Sequence, residues 1–451
     1  MCKYLDEKSS PRKEDMSTSE FIRKTSTLVS AQVIAQVIGL LSMPIVSRLY
    51  TKVAYGELAI VISVATILSS IIELGLNSAI MIPREIHEAK EVFSTSYLLQ
   101  FGLVTIITIV IVAVKPQYQL FNIGVSYYVT CLLMYIYILL NNLSGLLRIY
   151  MNREGLYKAL FWNSIIGALS TLCITIPLGL MGWGFMGFMT ANLVSSFVCN
   201  AQMLWHANPF ITVKFSRRVA LLKEYKDFII FQLPSNIIDT FSKQLPNQIL
   251  ATSFGSAALG GYSMSQKVLG IPSGLIASPI STVYFKTADE FHKEGKDLAK
   301  FTFSLISKTM LISLVPLVVL LAYGKEVFSF VLGEQWREAG IIASILGLQY
   351  VLMFCDTCTS YCRVSIGKQK VNFSMSIVKL TITIVSLSVG VVVYKNLIGT
   401  ITCFAVGASC SYILDMGINF FCMKRYILKY FVFAISYCVI VFLLTSAIKL
   451  I

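Results

Sequence analysis

Charged residues and histidine are scarce in this chain. Of its 451 residues only 13% are charged and 3 are histidine, whereas about a quarter of a typical soluble domain is charged. The sequence contains no HExxH motif, no nucleotide-binding glycine loop and no plausible Ser–His–Asp set. It also has no loop long enough to form a catalytic domain. These absences exclude an ordinary soluble protein and argue against an enzyme.

Apolar stretches of about 20 residues occupy most of the chain. Hydrophobic residues make up 56% of it. We predict 13 membrane-spanning helices, at 26–47, 54–82, 94–114, 125–147, 159–180, 183–204, 228–253, 257–285, 301–323, 339–361, 373–394, 397–422 and 430–448. The strands of a membrane β-barrel would be only about 10 residues long. The sequence therefore predicts an all-α integral membrane protein.

The net charge of +14 is distributed unevenly along the chain. If the polar N-terminal tail is cytoplasmic, 26 of the 37 lysines and arginines fall in that tail and in the cytoplasmic loops. Such a positive-inside bias predicts a multi-pass protein with a cytoplasmic N-terminus, and no cleaved signal is expected. It also explains the basic composition without nucleic acid as a partner.

The predicted spans fall into two groups. We expect a polar tail at 1–25, a six-helix lobe at 26–205, a basic cytoplasmic linker at 206–227, a second six-helix lobe at 228–423 and a further helix at 424–451. Two lobes of six spans would be related by a pseudo-twofold axis along the membrane normal. Residues 50–56 and 254–260 echo each other weakly, with an aromatic residue, an alanine and a glycine at matching spacing.

Polar and charged residues recur inside the apolar stretches, where a buried charge costs several kcal/mol, on the order of 3. One helical face of the seventh span carries Gln232, Asn236, Asp239, Lys243 and Asn247 at steps of three and four. Such a stripe either joins helices together or lines a hydrated cavity.

Lys267 on the eighth span has no acidic residue within one turn, so it requires an anionic partner on another helix or in a substrate. Asp239 and Lys243, four residues apart, could instead neutralise each other. For Lys379, near a helix end, we favour extension toward the membrane interface. Spans one, two and eleven carry further stripes that would line a central cavity if the lobes face each other: Gln32, Gln36 and Gly39; Thr66, Ser70, Glu73 and Asn77; and Asn372, Ser376, Lys379, Thr383 and Ser386.

Pro234, Pro246, Pro272 and Pro279 are expected to break the seventh and eighth spans. Such breaks are tolerated where helices bend or line a cavity, which favours an alternating-access carrier over a static channel. The three cysteines between 355 and 362 fit packing better than metal binding, because no histidine is near them. We expect neither a metal nor another cofactor.

Several motifs resemble one known family. They are Leu233-Pro234-Ser235-Asn236-Ile237-Ile238-Asp239, Gln244-Leu245-Pro246-Asn247, Gly261-Tyr262-Ser263-Met264-Ser265-Gln266-Lys267-Val268-Leu269-Gly270-Ile271-Pro272, Ser47-Arg48-Leu49-Tyr50 with Tyr55-Gly56, and Gly333-Glu334-Gln335-Trp336 with Glu338-Ala339-Gly340. With them the chain resembles the polysaccharide biosynthesis, or oligosaccharide (O-antigen type) flippase, family of the multidrug/oligosaccharidyl-lipid/polysaccharide exporter superfamily. The resemblance implies a V-shaped carrier of 12 or 14 helices in two six-helix lobes. It also implies that the carrier moves an undecaprenyl-diphosphate-linked oligosaccharide across a bacterial inner membrane.

On this basis we predict six substrate-binding residues: Arg48, Asn236, Lys243, Gln244, Asn247 and Lys267. The cations would hold the diphosphate, and the amides would bond to sugar or phosphate. Asp239 or Glu73 would bind a coupling H+ or Na+. A glycan polymerase complex is a candidate partner.

Two alternatives stay open. A multidrug or organic-cation antiporter of the same superfamily should have acids and aromatic residues in its cavity, which the deep lysines disfavour. A membrane glycan polymerase would need a substantial external loop with catalytic side chains.

Overall fold

The computed structural model describes residues 18–83, 85–114, 124–226, 228–294 and 296–450, and within these ranges the chain is helical with no strand. The α-helices are α1 (Thr18–Leu49), α2 (Lys52–Ile72), α3 (Ile86–Val114), α4 (Tyr127–Arg153), α5 (Tyr157–Leu180), α6 (Gly184–His206), α7 (Phe215–Glu224), α8 (Leu233–Pro272), α9 (Ser278–Lys293), α10 (Leu298–Leu332), α11 (Arg337–Cys358), α12 (Cys362–Ser365), α13 (Gln369–Val389), α14 (Leu397–Met423) and α15 (Ile427–Leu450). The predicted tail lies mostly outside these residues, and α1 begins at Thr18, earlier than expected.

Eleven helical segments of the described chain are long and apolar enough to cross a membrane. The longest, Phe228–Phe291, contains both the seventh and the eighth predicted spans, and it bends inside α8 at Gly255, where φ is 82°. Helix α6 coincides with the sixth predicted span, although it is not one of the eleven. Each predicted span thus falls on a helix, and the prediction of an all-α multi-pass membrane protein is confirmed.

The second predicted span is too long. Helix α2 ends at Ile72, because Leu74 and Gly75 take left-handed backbone conformations with φ of 51° and 69°. A 3-10 turn, Leu76–Met81, follows. Asn77 therefore does not continue the polar face of α2, and the predicted stripe on this span is wrong beyond residue 73.

The prolines have less effect than predicted. Pro246 lies inside α8 without breaking it, since the helix continues past it to the bend. Irregularity appears beside Pro234 and Pro272 instead, as the π-helical turns Phe228–Gln232 and Ser273–Ala277. Turns of this kind widen a helix locally and are frequent at functional sites.

The two similar sequence segments, 50–56 and 254–260, contact each other where the lobes meet. A β-carbon on Gly56 would lie 1.7 Å from the carbonyl oxygen of Ser256, and one on Gly260 would lie 1.9 Å from the carbonyl oxygen of Lys52. The two contacts join equivalent positions of the two segments, as a two-fold relation between repeats requires. Only glycine allows α2 and the part of α8 after the bend to approach this closely.

We name the two ends of the helical bundle after an arginine that lies at each, the Arg48 end and the Arg217 end. At the Arg48 end α1 joins α2. At the opposite, Arg217 end, the short helix α7 connects the lobes, and Arg217 donates to Glu91 over 2.8 Å from Nε to Oε2. This hydrogen bond raises the pKa of the Arg217 guanidinium. The linker is thereby fixed to α3, and the exact boundaries of the predicted lobes stay predictions.

Candidate functional site: a cavity between the lobes

A cavity of about 290 Å³ lies between α1 of the first lobe and the part of α8 after the bend. Its lining consists of Gln36, Gly39, Leu40, Met43, Lys267, Gly270 and Ile271. Most of these residues are small or apolar, so the polar chemistry of the wall comes from Gln36 and Lys267. The structure thus brings one end of the polar stripe predicted on span one together with Lys267.

Lys267 is the charged residue of the cavity wall. Its side chain is exposed, and its Nζ lies 5.9 Å from the ring centroid of Tyr55. An ammonium at this distance from an aromatic face gains a cation–π attraction, on the order of 1 kcal/mol. Lys267 forms no ion pair with any residue that the structure describes. Its positive charge therefore lacks an anionic partner within the described protein.

Gln36 adds an unused hydrogen-bond acceptor. Its Oε1 is buried and has no hydrogen-bond partner among the described residues. Buried polar atoms are nearly always bonded to protein or to ordered water, so an orphan oxygen in a cavity wall marks a position for a water or a ligand hydroxyl. The wall consequently offers one cation and one acceptor.

The charged residues predicted on the seventh span lie outside this lining. Asp239 and Lys243 are exposed on the part of α8 before the bend. They form no ion pair with each other or with other described residues, so the interpretation that they neutralise each other is wrong. Glu73, half-buried just after α2, is also outside the lining.

The predicted amides of α8 have mixed surroundings. Asn236 is half-buried. The Asn247 Nδ2 donates to Gln244 Oε1 over 3.0 Å, while Asn247 Oδ1 is buried without a partner in the described chain. Gln248 on the same helix hydrogen-bonds to Ser63 of α2. This part of α8 is thereby held against the first lobe.

Asn77 belongs to the interior of the first lobe and not to the inter-lobe cavity. It is 8% exposed, and its Oδ1 accepts a hydrogen bond from Gln100 Nε2 at 2.9 Å. The prediction that it shares a cavity-lining face with Glu73 is wrong, because the chain turns at Gly75.

Hydrogen bonds join the two lobes at the Arg48 end. The Ser47 carbonyl accepts from Gln335 Nε2 at 2.6 Å and from Trp336 Nε1 at 2.8 Å, and Ser47 Oγ donates to the Leu332 carbonyl at 2.8 Å. Arg48 itself is exposed and donates to a carbonyl of the second lobe, at Phe330, over 3.4 Å. Two of the motifs that carry the family resemblance are therefore in direct contact, and they close this end.

Lys379 does not extend toward the interface, so that prediction is wrong. Its Nζ lies 2.5 Å from Asp415 Oδ2 and 3.3 Å from Asp356 Oδ2. Asp415 Oδ1 also accepts from Arg363 at 2.5 Å, and Arg363 Nε donates to Asn372. We name Asp356, Arg363, Lys379 and Asp415 the charge cluster. Sequence reasoning missed three of its members, although both acids lie inside predicted spans, where any charge is unusual.

The fold and the cavity define a class of protein: a two-lobed, all-helical membrane protein with a cavity between its lobes. The family described as polysaccharide biosynthesis protein matches residues 45–341. The chain belongs to this family, which confirms the resemblance seen in its motifs.

Two relatives illustrate the family. The chain is 20% identical over 356 residues to the succinoglycan biosynthesis transport protein ExoT of Rhizobium meliloti (strain 1021), a match covering 78% of this chain and 70% of ExoT. It is 23% identical over 198 residues to the capsular polysaccharide biosynthesis protein CapF of Staphylococcus aureus, covering 43% of this chain. That second match spans about half of CapF, 49%.

Solved structures share the fold. The lipid II flippase MurJ in an inward closed conformation has a TM-score of 0.71 at 12% identity, covering 94% of this chain and 97% of MurJ. A multidrug resistance MATE family transporter in an inward-facing conformation has a TM-score of 0.63 at 17% identity, covering 90% of this chain and 95% of the transporter. These likenesses confirm the architecture of two helical lobes.

Proposed function

We propose that this protein moves an undecaprenyl-diphosphate-linked oligosaccharide, such as an O-antigen or capsule repeat unit, across a bacterial inner membrane by alternating access. The observation that carries the proposal is Lys267, a cation in the wall of an inter-lobe cavity with no anionic partner in the described chain. A lipid diphosphate supplies that anion, and its prenyl tail can stay in the bilayer. By the positive-inside bias the Arg48 end faces outward and the N-terminus is cytoplasmic.

The cavity composition supports an anionic rather than a cationic substrate. The seven lining residues include a lysine and no acid. A site for an organic cation would be expected to present carboxylates, since an unpaired ammonium repels a second positive charge. This difference separates the proposal from a multidrug antiporter with the same fold.

In this proposal Lys267 holds the diphosphate, and Lys243 and Arg48 contact it at other stages of its passage. Asn236, Gln244 and Asn247 hydrogen-bond to sugar or phosphate. The unpartnered Oδ1 of Asn247 and Oε1 of Gln36 supply acceptors for hydroxyl groups. Coupling to H+ or Na+ belongs to the proposal, with Asp239 and Glu73 as the carboxylates that the sequence suggests. A glycan polymerase complex would receive the product.

The test removes the unpaired cation. Lys267→Ala is expected to reduce surface glycan at least tenfold in cells with normal protein levels, because losing a charge-assisted contact costs about 1.5–3 kcal/mol. Lys267→Arg, which keeps the charge, should retain part of the export. The matched control is Lys325→Ala, which removes a half-exposed lysine from α10 outside the cavity. Unchanged surface glycan in the Lys267→Ala variant would contradict the role of Lys267 in holding the diphosphate.

A further inference from the structure

The two acids of the charge cluster are held unequally. Asp415 accepts from both Lys379 and Arg363, and its side chain is 3% exposed. Asp356 pairs only with Lys379, which also pairs with Asp415, and the Asp356 contact is the longer of the two at 3.3 Å. The Asp356 side chain is 15% exposed. A carboxylate with one shared cation and some access to water takes up a proton more readily than one held by two cations. Asp356 is therefore the member of the cluster that protonates first.

Among the groups around Asp356 there is no other acid that is available to take up a proton. The titratable and charged groups around it are Cys355 and Cys358 on its own helix, α11, and, on neighbouring helices, Arg363 on α12, Lys379 on α13, Tyr412 and Asp415 on α14, and Tyr430 on α15. The thiols and phenols are neutral in the ordinary pH range of a cell. Asp415 is the second carboxylate, and two cations keep it ionised.

An inorganic cation does not suit the cluster. With all four members ionised, two acids and two bases leave it neutral, and Lys379 already lies between the carboxylates. A sodium ion would need several oxygen ligands around it, and the Lys379 ammonium already occupies the space between the two carboxylates. A proton bonds to a single carboxylate oxygen and needs no such space. Neither is a group of three or more metal-ligating side chains present in the part of the chain that the structure describes. A proton is the cation that this site accommodates.

The cluster is connected to the Lys267 cavity by packed helices. Helices α11 and α13, which carry Asp356 and Lys379, both pack against α8. The Lys379 Nζ also lies 5.0 Å from the ring centroid of Tyr412, which packs in one core with Tyr262. Gln266, adjacent to Lys267, donates to Tyr262 Oη over 3.0 Å. A rearrangement of the Asp356–Lys379 pair would therefore change the packing of the helix that forms the cavity wall.

We propose that Asp356 binds and releases the proton that drives transport, and that Lys379 is the counter-cation that this proton displaces. The proposal rests on the function proposed above, since it names the coupling ion and its site. A proton from water on one side neutralises the Asp356 carboxylate, and Lys379 then pairs with Asp415 alone. After the lobes have switched, the proton leaves to the other side and the Asp356–Lys379 pair forms again.

The first test measures binding of undecaprenyl diphosphate to the purified full chain between about pH 5.5 and 8. If the proton and the lipid bind alternately, the affinity of the wild-type protein for the lipid falls as the pH falls. For one linked proton the decrease approaches tenfold per pH unit. Asp356→Asn mimics the protonated acid, so its affinity should be low and its pH dependence should shrink to that of the lipid itself. Replacing K+ by Na+ at constant ionic strength should change nothing.

Controls separate this role from a structural one. Glu326→Gln removes a half-exposed carboxylate on α10 and should keep the wild-type pH slope, and Asp356→Glu should restore part of it. Asp239→Asn and Glu73→Gln test the rival assignments. The proposal is overturned if Asp356→Asn keeps the wild-type slope, if a rival variant abolishes it, or if Na+ shifts the affinity.

A second measurement does not need the lipid. Hydrogen exchange at the ends of α11 and α13, corrected for the intrinsic rate, should increase on acidification in the wild type and be high at every pH in Asp356→Asn. If the wild type does not bind undecaprenyl diphosphate at all, the proposed function fails, and the exchange data still decide the role of Asp356. If binding is intact and exchange is independent of pH, the coupling proposal alone fails.

Discussion

The backbone of Gly274 lies against the side-chain amide of Gln36. A β-carbon on Gly274 would lie 2.5 Å from Gln36 Nε2 and 2.9 Å from Gln36 Oε1. Gly270, one turn earlier and part of the cavity wall, has no such neighbour within 4 Å. Gly274 therefore sets the position of the one amide in the cavity wall, whereas Gly270 borders open space.

This difference predicts opposite outcomes for two alanine substitutions on the same segment. Gly274→Ala should push the Gln36 amide out of place and reduce glycan export several-fold, with a small loss of stability because the end of a glutamine side chain can move. Gly270→Ala adds a methyl group to free space and should leave export within about twofold of wild type. Surface glycan and thermal unfolding, measured on both variants at equal expression, check this. Equal effects of the two substitutions would contradict it.

Lys267 could be singled out from the sequence because its anomaly is local, and its role in binding stays a prediction. A lysine deep in an apolar stretch, with no acid one turn away, is visible in the sequence without knowledge of which helices are neighbours. The structure adds that its surroundings are Gln36 and Tyr55, from α1 and α2. Those contacts depend on how the two lobes meet, which no spacing within one helix determines.

The charge cluster, in contrast, could not be recognised from the sequence. Asp356, Arg363, Lys379 and Asp415 come from four different helices, so none has a partner at a helical spacing of three or four. Conversely, Asp239 and Lys243 have the right spacing and yet do not pair, since both side chains are exposed. Pairing at a spacing of four is worth only a few tenths of a kcal/mol, which is too little to hold two charges together.

The crossing of α2 and α8 should tolerate no side chain at Gly260. A β-carbon there would overlap the backbone carbonyl of Lys52, which cannot move aside as a side-chain end could. We expect Gly260→Ala to destabilise the protein by about 1–3 kcal/mol through overpacking. Gly39→Ala is the matched control, because a β-carbon on Gly39 has no neighbour within 4 Å. Unfolding of the purified variants in detergent measures the difference, and equal stabilities would contradict the crossing.

Opening of the Arg48 end should be required for transport. Lys52 and Glu338 form an ion pair between the lobes at this end, 2.5 Å from Nζ to Oε2. The pair itself contributes at most about 1 kcal/mol, because Glu338 is largely exposed. Lys52→Cys combined with Glu338→Cys and a short bifunctional thiol reagent should therefore leave the fold intact and abolish export. The single-cysteine variants treated alike are the control, and export that survives verified cross-linking would refute alternating access at this end.

Loss of Asp415 should be far more damaging to stability than loss of Asp356. Asp415 is 3% exposed and balances both Arg363 and Lys379, so Asp415→Asn leaves a buried positive charge without compensation. Breaking a buried pair in this way costs about 3–5 kcal/mol. Asp356→Asn removes the acid with the longer and less buried contact, and Lys379 and Arg363 both keep Asp415 as a partner, so we expect a smaller loss of stability. Denaturant unfolding of both variants at neutral pH measures the two losses. A stability ranking in which Asp356→Asn is the less stable variant would show that the cluster is centred on Asp356 and not on Asp415.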